Sequence, residues 1–199
     1  IDFVAVGEGD IVVVKFLIRF TQTDKKSDFS DIPGLMYFDG GKIINTGYER
    51  QISRENLYDI DWNVLNDESS RIKHFFPVMT ESLLTQSHFK LDPRSRESRR
   101  KNKTMGTLVA SKGCVARCTF CHRWDASIRF IPVPILMGRL QEVIERYNVG
   151  FVTWGDENFG TWNKWLKEFC SSIKEFDILW KVGGMRVNSM SSEGLEMMK

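Results

Sequence analysis

The residues that most restrict this chain are three cysteines, Cys114, Cys118 and Cys121, which stand in the order C-x3-C-x2-C within the stretch TLVASKGCVARCTFCHRW from Thr107 to Trp124. That spacing puts three sulfurs on one tight loop, where a hydrophobic core has no use for them. Thiolates are soft ligands that select iron-sulfur clusters, zinc or cuprous copper. Three ligands without an evident fourth leave one coordination position free, and an open position is where a substrate binds. Structural zinc sites usually pair two half-sites some distance apart along the chain, whereas here there is one compact triad. His122 follows Cys121 directly, too close for both to reach one ion in good geometry. Cys170 lies far downstream in a segment patterned as a helix and reads as a core thiol. An iron-sulfur cluster is the first reading of the triad, zinc the second and inert buried thiols the third.

The residues around the triad alternate between strand-like and helix-like runs. Thr107 to Ser111 is a short mixed run ending at the cysteine loop, and Val133 to Tyr147 carries Ile135, Leu136, Leu140, Val143, Ile144 and Tyr147 at helical spacing. A β-rich run follows from Val149 to Trp154. Next, Thr161 to Ile173 sets Trp162, Trp165, Leu166, Phe169 and Ile173 on one helical face, and a third apolar run, Ile178 to Val182, precedes a last helix-like segment. This alternation predicts an α/β fold built of βα units on a parallel sheet, in which active sites collect where strands end. The polar oddities fall at those ends: the cysteine loop, then Gly155-Asp156-Glu157-Asn158, then Gly183-Gly184-Met185-Arg186-Val187-Asn188. Glycine there allows close backbone approach to a ligand, and a carboxylate can accept bonds from an ammonium group. The blander alternatives are a solvated turn capping the next helix for Asp156 and Glu157, and a surface charge for Arg186.

The run C-x3-C-x-Phe-C, with Phe120 as its aromatic and Gly113 before it, resembles the cluster loop of the radical S-adenosylmethionine enzymes. The resemblance implies that Cys114, Cys118 and Cys121 hold a 4Fe-4S cluster, whose open iron is chelated by S-adenosylmethionine, and that Phe120 neighbours the adenine. It also implies the reaction: reductive cleavage of the sulfonium to a 5'-deoxyadenosyl radical, with electrons from a donor such as flavodoxin or ferredoxin. In that superfamily a Gly-Gly-Glu-like motif after the second strand contacts the methionyl amino group. Gly155-Asp156-Glu157 is closer to the Asp-Glu variant of the cobalamin-binding branch, which leaves both carboxylates as candidates, and Arg186 matches an arginine common in that branch. The N-terminal residues add to the likeness: the strand IDFVAV from Ile1 to Val6, the turn Gly7-Glu8-Gly9-Asp10 and the apolar run Ile11 to Phe20 resemble the last strand and helix of a Rossmann-like cobalamin-binding domain. Ile32 to Ile44, with Pro33-Gly34 and Asp39-Gly40-Gly41, signals the hairpin that follows it. The expected organisation is therefore 1–20 as the end of a cobalamin-binding-like domain, 21–106 as a connecting region with a hairpin, and 107–199 as the first half of a partial TIM-like radical barrel. On this alignment the chain is a fragment, cobalamin belongs to the full-length parent, and His74, His88 and His122 are surface or supporting residues rather than cobalt ligands.

The function implied is cobalamin-assisted methyl transfer or rearrangement on an unactivated carbon of a small-molecule substrate. Two other readings stand beside it: a tRNA methylthio-transferring radical enzyme, and a non-catalytic zinc or iron-sulfur module. A net charge of +2 points to no polyanionic partner. The exception is RSRESRRKNK, Arg94 to Lys103, whose six cations in ten residues read either as an RNA contact or as a solvated segment. It has no interleaved aromatics on which bases could stack, so no nucleic-acid partner is expected. Of the six tryptophans only Trp124 and Trp154 stand where they could line the site. No stretch approaches the roughly 18 apolar residues that span a bilayer, and four unevenly spaced cysteines make no disulfide framework. A cluster protein of this kind is expected in the reducing cytoplasm.

Overall fold

The apolar run Val149–Trp154 forms the strand on which the larger part of the chain is organised. A computed structural model describes residues 2–65, 71–121 and 127–198, and these fall into two compact units, one drawn from 1–53 and 117–125, the other from 54–116 and 126–199.

In the first unit, strand β1 (Phe3–Ala5) leads into helix α1 (Gly9–Phe20), and β2 (Leu35–Asp39) and β3 (Lys42–Asn45) form an antiparallel hairpin. β1 pairs antiparallel with β2, so the three strands make one small sheet in the order β1-β2-β3. Helix α1 lies against it through Val12 and Phe16, which meet Phe3, Phe29, Leu35 and Tyr37. Gly34 is required where it stands: its φ is +88°, and a Cβ there would press 2.6 Å from Val12 Cγ2. Glu8 is buried and accepts the Ile52 N–H at 2.9 Å.

The second unit opens with two short helices, α2 (Ile72–Phe75) and α3 (Glu81–Gln86), and then β4 (Thr104–Leu108). A two-stranded ribbon, β5 (Ser111–Gly113) with β6 (Ile128–Phe130), precedes α4 (Val133–Tyr147), β7 (Val149–Trp154), α5 (Asn163–Ile173), β8 (Leu179–Val182) and α6 (Ser192–Met197). β4, β7 and β8 form a parallel sheet in the order β4-β7-β8, with Leu108 opposite Trp154 and Trp154 opposite Val182. The fold is thus α/β with a parallel sheet. β7 is the middle strand and is buried on both faces, which is why it reads as a continuous apolar run rather than an alternating one. Phe151 faces Leu84, Phe89 and Leu179, while Trp154 contacts Phe159 and Phe169. Amphipathic α4 buries Leu136, Leu140 and Val143, and α5 buries Trp165, Leu166, Phe169 and Ile173. Asn148 ends α4 in the left-handed conformation, φ 55° and ψ 37°, which turns the chain directly into β7.

The first parallel strand starts earlier than the sequence pattern suggests, at Thr104 rather than Thr107. The chain leaves the sheet after Leu108, and Ser111–Gly113 pairs antiparallel with Ile128–Phe130. Ile131 adds a further bond, its N–H donating to Ala110 O at 2.9 Å. Trp154 is wholly buried in the aromatic core rather than lining a site, because the alternation of the strand turns it toward α5.

Phe169 holds that core together, with ring centroids 5.1–5.4 Å from those of Trp154, Phe159, Trp165 and Trp180. Phe169→Ala is expected to lower the stability of the second unit by about 3–5 kcal/mol, read from denaturant unfolding followed by tryptophan fluorescence. A loss under about 1 kcal/mol would place the stabilising contacts elsewhere.

Candidate functional site

At the C-terminal ends of β4, β7 and β8 the chain makes its turns, and these ends are joined to one another. Gly155 N–H donates to Leu108 O at 2.8 Å, and Gly183 N–H donates to Trp154 O at 2.7 Å. The turn after β7 and the loop after β8 then touch, with Phe159 N–H donating to Gly184 O at 3.0 Å. Gly184 is needed for this approach, since a Cβ there would collide with Asp156 O.

Within the turn the three polar side chains diverge. Asp156 is 4% exposed, and its carboxylate accepts the Ser111 hydroxyl proton and the Ala110 N–H, the latter at 3.2 Å to Oδ1. It therefore joins the end of β7 to the strand that runs into the first cysteine. Burial pushes its pKa up, and the bonds from Ser111 and Ala110 oppose that rise. Glu157 is exposed. Asn158 is wholly buried, and its Oδ1 accepts the Arg186 N–H at 3.2 Å. Arg186 itself is half-buried, with Nε donating to Asn188 Oδ1 at 3.2 Å. Neither Asp156 nor Glu157 caps the following helix, whose N-cap position is Trp162.

The cysteine loop begins on the second unit. Gly113 has φ +92°, and a Cβ on it would collide with Ser127 O, so only glycine lets β5 and β6 close the base of the loop here. Cys114 is buried, and its Sγ accepts the Ala116 N–H at 3.4 Å. Cys118 and Cys121 belong to the first unit, where Cys121 N–H donates to Cys118 O at 3.1 Å; Cys118 is half-buried and Cys121 exposed. Phe120 is 91% exposed. His122 and Trp124 lie outside the described residues. All four cysteines are free thiols, and Cys170 is buried on α5, where burial raises its pKa. Among the described residues no three His, Cys, Asp or Glu side chains stand together in a metal-holding group.

The structure therefore brings Gly155, Asp156, Glu157 and Arg186 to one end of the parallel sheet beside the stem of the cysteine loop. Cys118, Cys121 and Phe120 lie in the other unit. Two participants escaped the sequence reading, Ser111 and Asn158.

Fold and site together define an α/β unit whose parallel strands end in a glycine-rich acidic turn, an arginine loop and a thiol-bearing segment. No family model matches the chain. It is 21% identical over 179 residues to an anaerobic magnesium-protoporphyrin IX monomethyl ester cyclase of Cereibacter sphaeroides, an alignment covering 87% of this chain and 24% of the cyclase. The chain thus spans about a quarter of the length of that relative.

The position of Asp156 has a consequence for stability. With its pKa raised above the usual value of about 3.9, the folded state holds a proton that the unfolded chain has released, so stability falls as pH rises from the unfolded value through the folded one. Asp156→Asn, which keeps an acceptor and cannot ionise, should flatten that decline in unfolding midpoints measured from about pH 4 to pH 7. Asp156→Ala should cost about 1–3 kcal/mol by stranding the Ala110 N–H. A decline unaltered in the Asn variant would remove Asp156 as its source.

Proposed function

We propose that this chain belongs to a radical S-adenosylmethionine enzyme of the cobalamin-binding branch, one that holds a 4Fe-4S cluster on Cys114, Cys118 and Cys121. The observation that carries the reading is the arrangement at the end of β7: of two adjacent carboxylates, one is turned inward to hold the stem of the cysteine loop and the other is presented to solvent beside it. The likeness to the cyclase is independent support. The donor set fits the cluster, with three free thiols in one segment and an N–H already donated to the first sulfur.

On this reading Glu157, the exposed carboxylate of the turn, receives the ammonium group of S-adenosylmethionine, and Asp156 keeps its bonds from Ser111 and Ala110. Gly155 precedes it in the turn, Arg186 would supply a cation for a carboxylate or ribose, and Phe120 is the ring that the resemblance to the family assigns to the adenine. When bound, the cluster supplies the electron that cleaves the sulfonium. The chain's own residues then bind, orient and exclude water. The reaction class is radical chemistry at an unactivated carbon of a small molecule, with methyl transfer or rearrangement as the outcome, an electron donor of the flavodoxin or ferredoxin kind, and a reducing compartment, the cytoplasm. Among the described residues no helix is long and apolar enough to cross a membrane. His74 and His88 are exposed surface residues, and the reading assigns no cobalamin step to this chain.

The basic segment supports a function without RNA. Arg94 pairs with Asp92 at 2.6 Å, Arg96 with Glu81 at 3.0 Å, Arg99 with Glu97 at 2.6 Å and Arg100 with Asp177, and Lys103 donates to Asn148. Pairing of the four arginines with carboxylates weakens the field this segment offers to phosphates.

Electron paramagnetic resonance of the anaerobically reconstituted, dithionite-reduced protein tests the reading. A 4Fe-4S signal should appear and change shape on addition of S-adenosylmethionine, and a signal indifferent to it would leave an electron-transfer module. Cys118→Ala should lose the iron and sulfide complement, and retention of both would remove the triad from the site. Glu157→Gln should keep the cluster and bind S-adenosylmethionine about tenfold more weakly, a change of about 1.4 kcal/mol.

A further inference from the structure

The amide of Asn158 is used on one side only. Its Oδ1 accepts the Arg186 N–H, while its Nδ2, buried with the rest of the residue, has no hydrogen-bond partner among the described residues. A buried donor left unsatisfied costs stability. What the asparagine provides in return is the bond to Arg186, which ties the turn after β7 to the loop after β8.

The bond sits among others that link the same two segments. Gly183 N–H donates to Trp154 O, Phe159 N–H donates to Gly184 O, and Gly184 lies so close to Asp156 O that no side chain fits between them. On the opposite side of the turn, Asp156 is held by Ala110 and Ser111. Residues 156 and 158 are therefore both pinned inward, one toward the stem of the cysteine loop and one toward the arginine loop. Residue 157, between them, is left facing out.

We propose that Asn158 is a positioning residue: its side-chain carbonyl fixes the spacing between the Glu157 carboxylate and the Arg186 loop, so that acid and cation meet the two ends of one zwitterionic ligand. The proposal rests on the reading of this site as the S-adenosylmethionine site. Asn158 contacts no ligand in this role. It acts by holding the Arg186 backbone, and Asp156 completes the clasp from the other side.

Two measurements on the reconstituted protein test it. One is hydrogen–deuterium exchange of peptides covering residues 183–190, which needs no ligand; the other is S-adenosylmethionine affinity from the resonance change of the reduced cluster. Asn158→Leu, which keeps the branch at Cγ and removes the acceptor, strands the Arg186 N–H and should lower the melting temperature while the protein stays folded. It should also speed exchange at Arg186 at least tenfold and weaken S-adenosylmethionine binding about tenfold, at full iron content. Asn158→Asp, which keeps an acceptor, should restore slow exchange and recover most of the affinity. Unchanged exchange in the leucine variant overturns the clasp. Faster exchange with unchanged affinity overturns the positioning role and leaves a structural bond. A wild-type cluster that ignores S-adenosylmethionine overturns the functional reading and the positioning role together, while the exchange data still decide whether the clasp exists.

Discussion

Burial of β7 on both faces is the constraint from which the rest of the second unit follows. A parallel strand with no solvated side must be covered above and below, and its neighbours must be reached by crossovers. Here α4 and α5 supply the crossovers and bury one face, and Leu84 and Phe89 cover the other. Because β4, β7 and β8 all run the same way, their outgoing turns collect at one end of the sheet. Polar and glycine-rich turns gather there as a result of topology.

That end of the sheet is also where buried polarity is concentrated. Asp156, Asn158 and Ser111 are all buried, and each serves to join one strand end to the next. An apolar substitute for Asp156 or Asn158 would leave the Ala110 or Arg186 N–H without its acceptor, and one for Ser111 would take a donor from Asp156. Glycines do the complementary work. Gly113 and Gly184 stand where a Cβ would strike backbone, so the close approaches they permit are available to no other residue type. Polar pins and missing side chains together give the turns a defined shape without regular secondary structure.

The periodic elements were the legible part of the sequence. Helix α4 and strand β7 fall on the bounds their periodicity predicts, because an amphipathic stripe and a doubly buried strand each imprint a pattern on many consecutive residues. The β5–β6 ribbon was not legible, since three residues reading Ser-Lys-Gly carry no strand pattern and their pairing is set by Asp156 and by a glycine with positive φ. The sequence singled out the turn after β7 but could not apportion its two carboxylates between core and surface. Burial decides between Asp156 and Glu157, and burial of a turn residue depends on partners far along the chain, here Ala110 and Ser111. The sequence position of Trp154 at a strand end suggested a site wall, whereas the alternation of side chains about β7 assigns it to the core.

The ribbon beneath the cysteine loop bears on how readily a cofactor could be taken up. With Gly113 paired to Ile128 and Ile131 bonded to Ala110, the two feet of the 114–127 segment are fastened whether or not anything is bound above them. Most of the entropy of closing that loop is therefore spent during folding. On the proposed reading, a cluster carried by this segment would stand on feet that are already fastened, and its loss would open no strand of the parallel sheet. Loading and unloading would in this way be separated from the stability of the scaffold.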